Sequence, residues 1–144
     1  MSLSWLETRQ LTDLATDSIL THCLAEFGQI RLTVTGTCME PHLRAGDRVR
    51  VVARRPRVGD VVLARHPRGL SLHRLVWGPL WLRGGLFRTQ ADRGRCWDPA
   101  VDGASILGTV VEVDGRGPLP RRTLRALGSV ALGLLTRARK IFSR

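Results

Sequence analysis

Apolar and polar positions change rhythm twice along the chain. Leu11, Ala15, Ile19, Cys23 and Phe27 recur at every fourth position, and Leu14, Leu20 and Leu24 widen the stripe. That period keeps one face of a helix apolar and predicts an amphipathic helix over about residues 5–27, stopped by Gly28. From residue 29 to 114 the period falls to two. Ile30–Thr35 and Arg48–Val52 alternate at period two, and Asp60–Ala64, Leu70–Val76, Leu86–Thr89 and Ile106–Val113 are further strand candidates, several of them dense in β-branched residues. Ala45-Gly46-Asp47, Val58-Gly59-Asp60 and Arg83-Gly84-Gly85 punctuate them as turns. Short strands at this spacing predict a mainly β domain, an antiparallel or mixed barrel or sandwich. Residues 115–120, Gly-Arg-Gly-Pro-Leu-Pro, read as a linker. The helical period returns over 121–144, where Leu124, Leu127, Ala131, Leu134, Leu135, Ala138, Ile141 and Phe142 share a stripe. Three parts result: an N-terminal helix (1–28), a β domain (29–114) and a linker with a basic amphipathic helix (115–144).

Composition narrows the function classes. A chain of 144 residues with 43% apolar residues has enough material for one folded core. Cys23, Cys38 and Cys96 are odd in number and form no CxxC pair, which argues against a disulfide framework and against a zinc finger. No metal or other cofactor is called for. There is no apolar run of about 18 residues for a membrane-crossing helix. The start carries Glu7, Asp13 and Asp17 instead of the basic, then apolar, pattern of a cleavable signal peptide. The expected location is therefore the cytoplasm, with reduced thiols.

The net charge is +11, and of the 23 basic residues only Lys140 is a lysine. Residues 121–144 contain no acid. An apolar stripe with arginines at its margins suits an anionic membrane surface, so peripheral membrane association through this segment is expected. Nucleic acid is a poorer fit, because stacking aromatics are few and no recognition module is present.

The chemistry-bearing stretch is Thr35-Gly-Thr-Cys-Met-Glu-Pro-His-Leu-Arg-Ala-Gly-Asp47. A strand ends at a glycine, and a nucleophile-capable cysteine follows on a turn. A second Gly-Asp pair stands at 59–60, a His-Arg pair at 73–74, and an acid-bearing loop runs from Thr89 to Asp102. Singly these are ordinary: a lone cysteine is usually a small buried hydrophobe, and a Gly-Asp pair is usually a turn.

As an ordered set, residues about 30–113 resemble the signal peptidase I and LexA-type superfamily of serine proteases. The pieces are Gly36-Thr-Cys38-Met39-Glu40-Pro41, Leu43-Arg-Ala-Gly46-Asp47, Gly59-Asp-Val-Val62, His73-Arg74, the acids Asp92 and Asp98, and Ile106-Leu-Gly108-Thr-Val110. The resemblance implies that fold and an endopeptidase acting on an extended peptide that adds as a strand along the cleft. Two departures matter. Cys38 stands where the family has its serine, and His73 stands at the base position, as in the histidine-type archaeal and endoplasmic-reticulum signal peptidases. By the resemblance, Cys38 is the nucleophile, His73 the general base, and Asp98 its orienting partner, with Asp92 as the alternative. Thr37 and Met39 would contact substrate, Met39 equally well serving as core. A neighbouring imidazole can draw a thiol into an ion pair, so the cysteine and histidine form a chemically matched exchange. The backbone N–H of Cys38 would face the oxyanion, and Gly36 offers no side chain to assist it. The substrate would be a leader or signal segment. Self-cleavage of the LexA kind is disfavoured, since the only Ala-Gly, Ala45-Gly46, follows Cys38. The competing reading is a retired family member that binds a peptide, a membrane or a partner. Cys23 is expected in the core, Cys96 as a passive buried thiol, and His22 and His66 on the surface. His42 ranks well below His73 as a base.

Overall fold

The computed structural model describes residues 5–78 and 85–121, with side chains of the first helix from Ala15 onward. Helix α1 spans Trp5–Phe27 and is followed by strands β1 (Gln29–Thr33), β2 (Arg48–Val52), β3 (Val61–His66), β4 (Gly69–Trp77), β5 (Leu86–Gln90), β6 (Val101–Asp102) and β7 (Ile106–Val113). They form one seven-stranded sheet in the order β1-β2-β7-β3-β4-β5-β6, antiparallel at every pairing. The mainly β reading holds as an antiparallel sheet with a helix before it. The expected C-terminal helix over 121–144 lies outside the described residues, apart from Arg121.

Period-two alternation sorts the sheet's side chains onto two faces. One face carries Val49, Val51, Val61, Leu63, Val110 and Val113, covered by Leu24 of α1 and by Met39 and Leu43 of the loop after β1. The other carries Val62, Ala64 and Leu75, with Phe87 and Ile106 against them. Register shifts at Arg50/Val51, Leu63/Ala64 and Leu75/Trp77 interrupt the ladders. Such bulges bend a strand and sharpen its twist. Gly108 sits where β7 passes closest to β2: a Cβ there would lie 2.6 Å from Val51 Cγ1 and 2.9 Å from the Val52 carbonyl oxygen.

The helix buries a different face from the one its four-residue stripe indicates. Leu24 is buried, whereas Ile19 is 61% and Phe27 71% exposed. Cys23 is half-buried rather than enclosed in the core. The orientation is fixed by an ion pair as well as by packing. Arg65 of β3 grips Asp17 through two hydrogen bonds, Nε–Oδ2 at 2.5 Å and an Nη2–Oδ1 bond at 2.7 Å. Those hydrogen bonds hold the Asp17 carboxyl below its ordinary value, against the opposing effect of burial. No helix among the described residues is long and apolar enough to cross a membrane.

The two Gly-Asp pairs are the same device used twice. Gly46 and Gly59 take φ of +95° and +96°, a region glycine occupies without the Cβ clash. The following carboxylates, Asp47 and Asp60, accept the backbone N–H groups of Arg44 and Arg57, each three residues back. Both turns deliver the chain into β2 and β3. Residues 115–120, expected as a linker, fold back on the domain together with Arg121. Leu119 packs on the core, the Pro120 carbonyl accepts from Arg74 Nη1 at 3.2 Å, and Arg121 Nε donates to Asp60 Oδ1 at 2.7 Å.

Candidate functional site

Three segments converge on β4. The first is the turn Thr37–Leu43, which presents Cys38. Its shape comes from short-range backbone bonds, Glu40 N–H to the Thr37 carbonyl and Leu43 N–H to the Met39 carbonyl. Met39 is 1% exposed and anchors the turn in the core. The second is the loop from Ala91 to Ala100. It is stitched to the first by the Arg93 N–H donating to the Cys38 carbonyl at 2.9 Å and by the Asp92 N–H against Met39 Sδ at 3.4 Å. The third is the β3–β4 hairpin, whose register pairs Val62 with His73, Ala64 with Ser71 and His66 with Gly69. Those residues share a face, so His66 and His73 lie on the same side of the sheet. Their ring centroids are 6.2 Å apart.

Asp98 is the hub. Its backbone N–H donates to the Thr89 carbonyl at 2.8 Å, which pins the loop to β5. Its Oδ2 lies 2.6 Å from His73 Nδ1 and accepts the Thr89 hydroxyl at 2.5 Å. A carboxylate accepts, so His73 must carry its proton on Nδ1, and its Nε2 is left with the lone pair a general base needs. Of the two acids offered by the sequence, Asp98 is therefore the one bonded to His73. Asp92 is committed elsewhere: Arg74 holds it through Nε–Oδ1 at 2.8 Å and Nη2–Oδ2 at 2.7 Å, and His42 Nδ1 stands 2.7 Å from Oδ2. Burial would raise the Asp92 carboxyl, but Arg74 and His42 outweigh it and leave it lowered.

Cys38 is exposed and, among the described residues, makes no hydrogen bond to His73. Leu70 and Leu72 point to one side of β4 and Ser71 and His73 to the other, and the groove at Cys38 is bordered by Leu70, Ser71 and Leu72 but not by His73. Burial pushes the thiol up, and the nearby carboxylates of Asp98 and Asp92 add to the rise. A raised thiol does not favour the preformed ion pair that the residue types suggest. Alkylation of Cys38 followed by mass spectrometry should accordingly be slower at neutral pH than that of a small-molecule thiol. It should quicken only as pH passes the ordinary thiol range, and His73→Ala should leave it unchanged. Fast labelling at or below neutral pH that His73→Ala abolishes would contradict this.

A groove of about 550 Å³ begins at Cys38. The extended stretch Thr33–Gly36 forms one wall and Gly69–Leu72 of β4 another, while Thr16 and Leu20 of α1 close a third side. β5 pairs with β4 only from Arg74 onward, so the edge of Gly69–His73 away from β3 has no strand beside it among the described residues. Ser71 borders the groove, and its hydroxyl is buried with no hydrogen-bond partner. Met39 also borders the groove; Thr37 is exposed and does not.

The sequence reading passed over His66 and Thr89. His66 is not a surface residue: its side chain is 10% exposed and its Nε2 lies 3.2 Å from the Thr89 hydroxyl. Cys96, expected to be buried, is exposed. One nitrogen from each of His66 and His73 and one Asp98 oxygen lie within 4.8 Å of one another, the raw material of a metal site. The fit is poor. Tetrahedral zinc at bonds of about 2.1 Å needs ligand atoms about 3.4 Å apart. Here Asp98 Oδ2 is 2.6 Å from one histidine and 4.0 Å from the other. Ligation through His66 Nε2 would also move its proton to Nδ1, which is buried without a partner, where metal-bound histidines ordinarily donate to an acceptor. The cluster is a hydrogen-bond hub.

Comparison with protein-family models finds no match for this chain, and none of the curated proteins matches it.

Proposed function

We propose that this chain is an endopeptidase of the signal peptidase-like kind, with Cys38 as nucleophile, His73 as general base and Asp98 as the group that orients it. The observation that carries the reading is the bond between His73 Nδ1 and Asp98 Oδ2, which aims a basic Nε2 from the strand bordering the Cys38 groove. A peptide laid in extended form along Gly69–His73 would use the unpaired strand edge and offer Ser71 a partner. The lining, with Leu20, Leu32, Val34, Leu70 and Leu72, suits aliphatic side chains. In the attack, the Cys38 proton passes to His73 Nε2 as Sγ bonds to the scissile carbonyl carbon. The same proton then leaves on the departing amine, and water hydrolyses the thioester. Because the thiol is raised at rest, proton transfer accompanies attack, and substrate binding has to close the gap between Cys38 and His73. The resemblance makes the substrate a leader or signal segment, met on the cytoplasmic side. Residues 121–144 would hold the enzyme at an anionic membrane surface.

The test is cleavage of an extended-peptide library read by mass spectrometry, with wild type beside Cys38→Ala. Cleavage by wild type alone supports the reading, with a remnant allowed in Cys38→Ser. Peptide binding that is equal in wild type and Cys38→Ala, with no cleavage in either, would replace it by the second reading. That reading is a peptide-binding scaffold, and it is favoured by the raised thiol and its missing bond to His73.

A further inference from the structure

His66 and Thr89 form an outer relay on the same carboxylate. The Thr89 hydroxyl has one proton, and at 2.5 Å from Asp98 Oδ2 that proton goes to the carboxylate. Its contact with His66 Nε2 at 3.2 Å must therefore run the other way, from Nε2–H to Oγ1. An independent observation selects the same tautomer. His66 Nδ1 is buried without a partner. A bare lone pair is tolerated in such a place better than an N–H donor with no acceptor. Burial also lowers the His66 imidazole, which favours its neutral form, against the opposing pull of Asp98. Thr89 itself is fully buried in β5, paired with Leu75 of β4, so its hydroxyl cannot swing away to solvent.

We propose that Thr89 and His66 are positioning residues: His66 Nε2–H fixes the Thr89 hydroxyl, Thr89 fixes Asp98 Oδ2, and Asp98 in turn keeps the proton of His73 on Nδ1. Without the chain the carboxylate can rotate about its side-chain torsion, and His73 is free to exchange tautomers. The relay rests on the peptidase reading only for its catalytic consequence; its geometry is a property of the resting protein.

The experiment is ¹⁵N NMR of the histidine ring nitrogens in the full chain above the imidazole titration. Wild type should show neutral His73 as a single Nδ1–H tautomer and neutral His66 as a single Nε2–H tautomer. Finding His66 as Nδ1–H would overturn the relay with no variant needed. Thr89→Val should turn the His73 signal into a tautomer mixture, and Thr89→Ser should restore the single form. His66→Phe, which keeps a ring in place but removes the donor, should loosen His73 in the same direction. A single Nδ1–H tautomer for His73 in both Thr89→Val and His66→Phe would overturn the proposal. On any peptide the protein cleaves, Thr89→Val should lower kcat about tenfold or more with KM little changed, and Thr89→Ser should recover it. Loss of kcat that Thr89→Ser fails to restore would overturn the positioning role. If nothing is cleaved but the tautomers respond as stated, the relay stands and the peptidase reading falls.

Discussion

Arg74→Met is expected to lower folding stability by about 3–5 kcal/mol, the range for removing one partner of a buried ion pair. Arg74 is 4% exposed, and the Asp92 side chain it holds is 7% exposed. The guanidinium also donates to the Gly59 carbonyl at 2.7 Å and to the Pro120 carbonyl. Methionine fills the space but leaves the buried Asp92 carboxylate without its guanidinium, with the His42 contact remaining, and removes the donor from two carbonyl oxygens. Against a total of about 5–15 kcal/mol for a domain this size, the loss is a large fraction. Urea unfolding should show a lower midpoint at unchanged slope. Arg74→Met with Asp92→Leu should recover part of the loss, because the buried carboxylate that lost its guanidinium is gone. A midpoint shift under about 1 kcal/mol for the single variant would show the pair to be solvated rather than buried. The pH dependence follows from the same carboxylate. The folded Asp92 titrates below its unfolded value of 3.8, so the folded state binds fewer protons. Its contribution is complete above pH 3.8 and is lost as pH falls through the lower, folded value. The stability that Asp92 contributes should thus decline as pH drops below about 3.8, and the Arg74→Met protein should show a weaker decline in that window.

His73→Ala is expected to reduce peptide cleavage by about 10²–10⁴-fold, the usual range for a positioned general base. His73 is the group that takes the Cys38 proton, and the thiol is raised rather than lowered in the resting protein. Unassisted attack at neutral pH would therefore draw on a small thiolate fraction. Asp98→Asn should produce a loss of similar order by another route. An asparagine can offer an N–H to His73 Nδ1, which would move the imidazole proton to Nε2 and remove the basic lone pair. Measuring kcat/KM for both, with a check that each retains the wild-type unfolding midpoint within about 1 kcal/mol, separates chemistry from collapse. Unchanged cleavage in His73→Ala would remove His73 from the mechanism.

β1 and β2 were legible in the sequence because their burial alternates, β3 and β7 because β-branched residues crowd them, and the first helix because its apolar positions recur at helical spacing. The face of that helix was not. Ile19 and Phe27 fit the stripe as well as Leu24 does, and the orientation is decided by Arg65 gripping Asp17, residues 48 apart in the chain. His66 was missed for a simpler reason. β3 reads as ending at Ala64, yet Val62, Ala64 and His66 continue one alternation into a tight turn at Pro67-Arg68, closed by Gly69. Carrying the period two residues further would have put His66 on the face of His73. Strand β6, Val101–Asp102, hides in the acid-bearing loop because two residues carry no periodicity. The resemblance put Asp98 ahead of Asp92, but the residues themselves did not rank the two. Both are acids in one loop, and Arg74 and Thr89, which separate their roles, come from two different strands.

The open edge at Gly69–His73 has a cost that the groove walls contain. An unpaired strand edge is the usual template for aggregation, since any exposed edge from a second molecule can pair with it. Here Gly69–Leu72 line a groove together with Thr33–Gly36 and with Thr16 and Leu20 of α1. A single extended chain is thin enough to enter. A strand that already belongs to a folded sheet brings its neighbours with it, and they would strike the walls first. For the proposed peptidase, the helix that borders the groove would then set a fold-state requirement on the substrate: a segment has to be unfolded to pair with this edge.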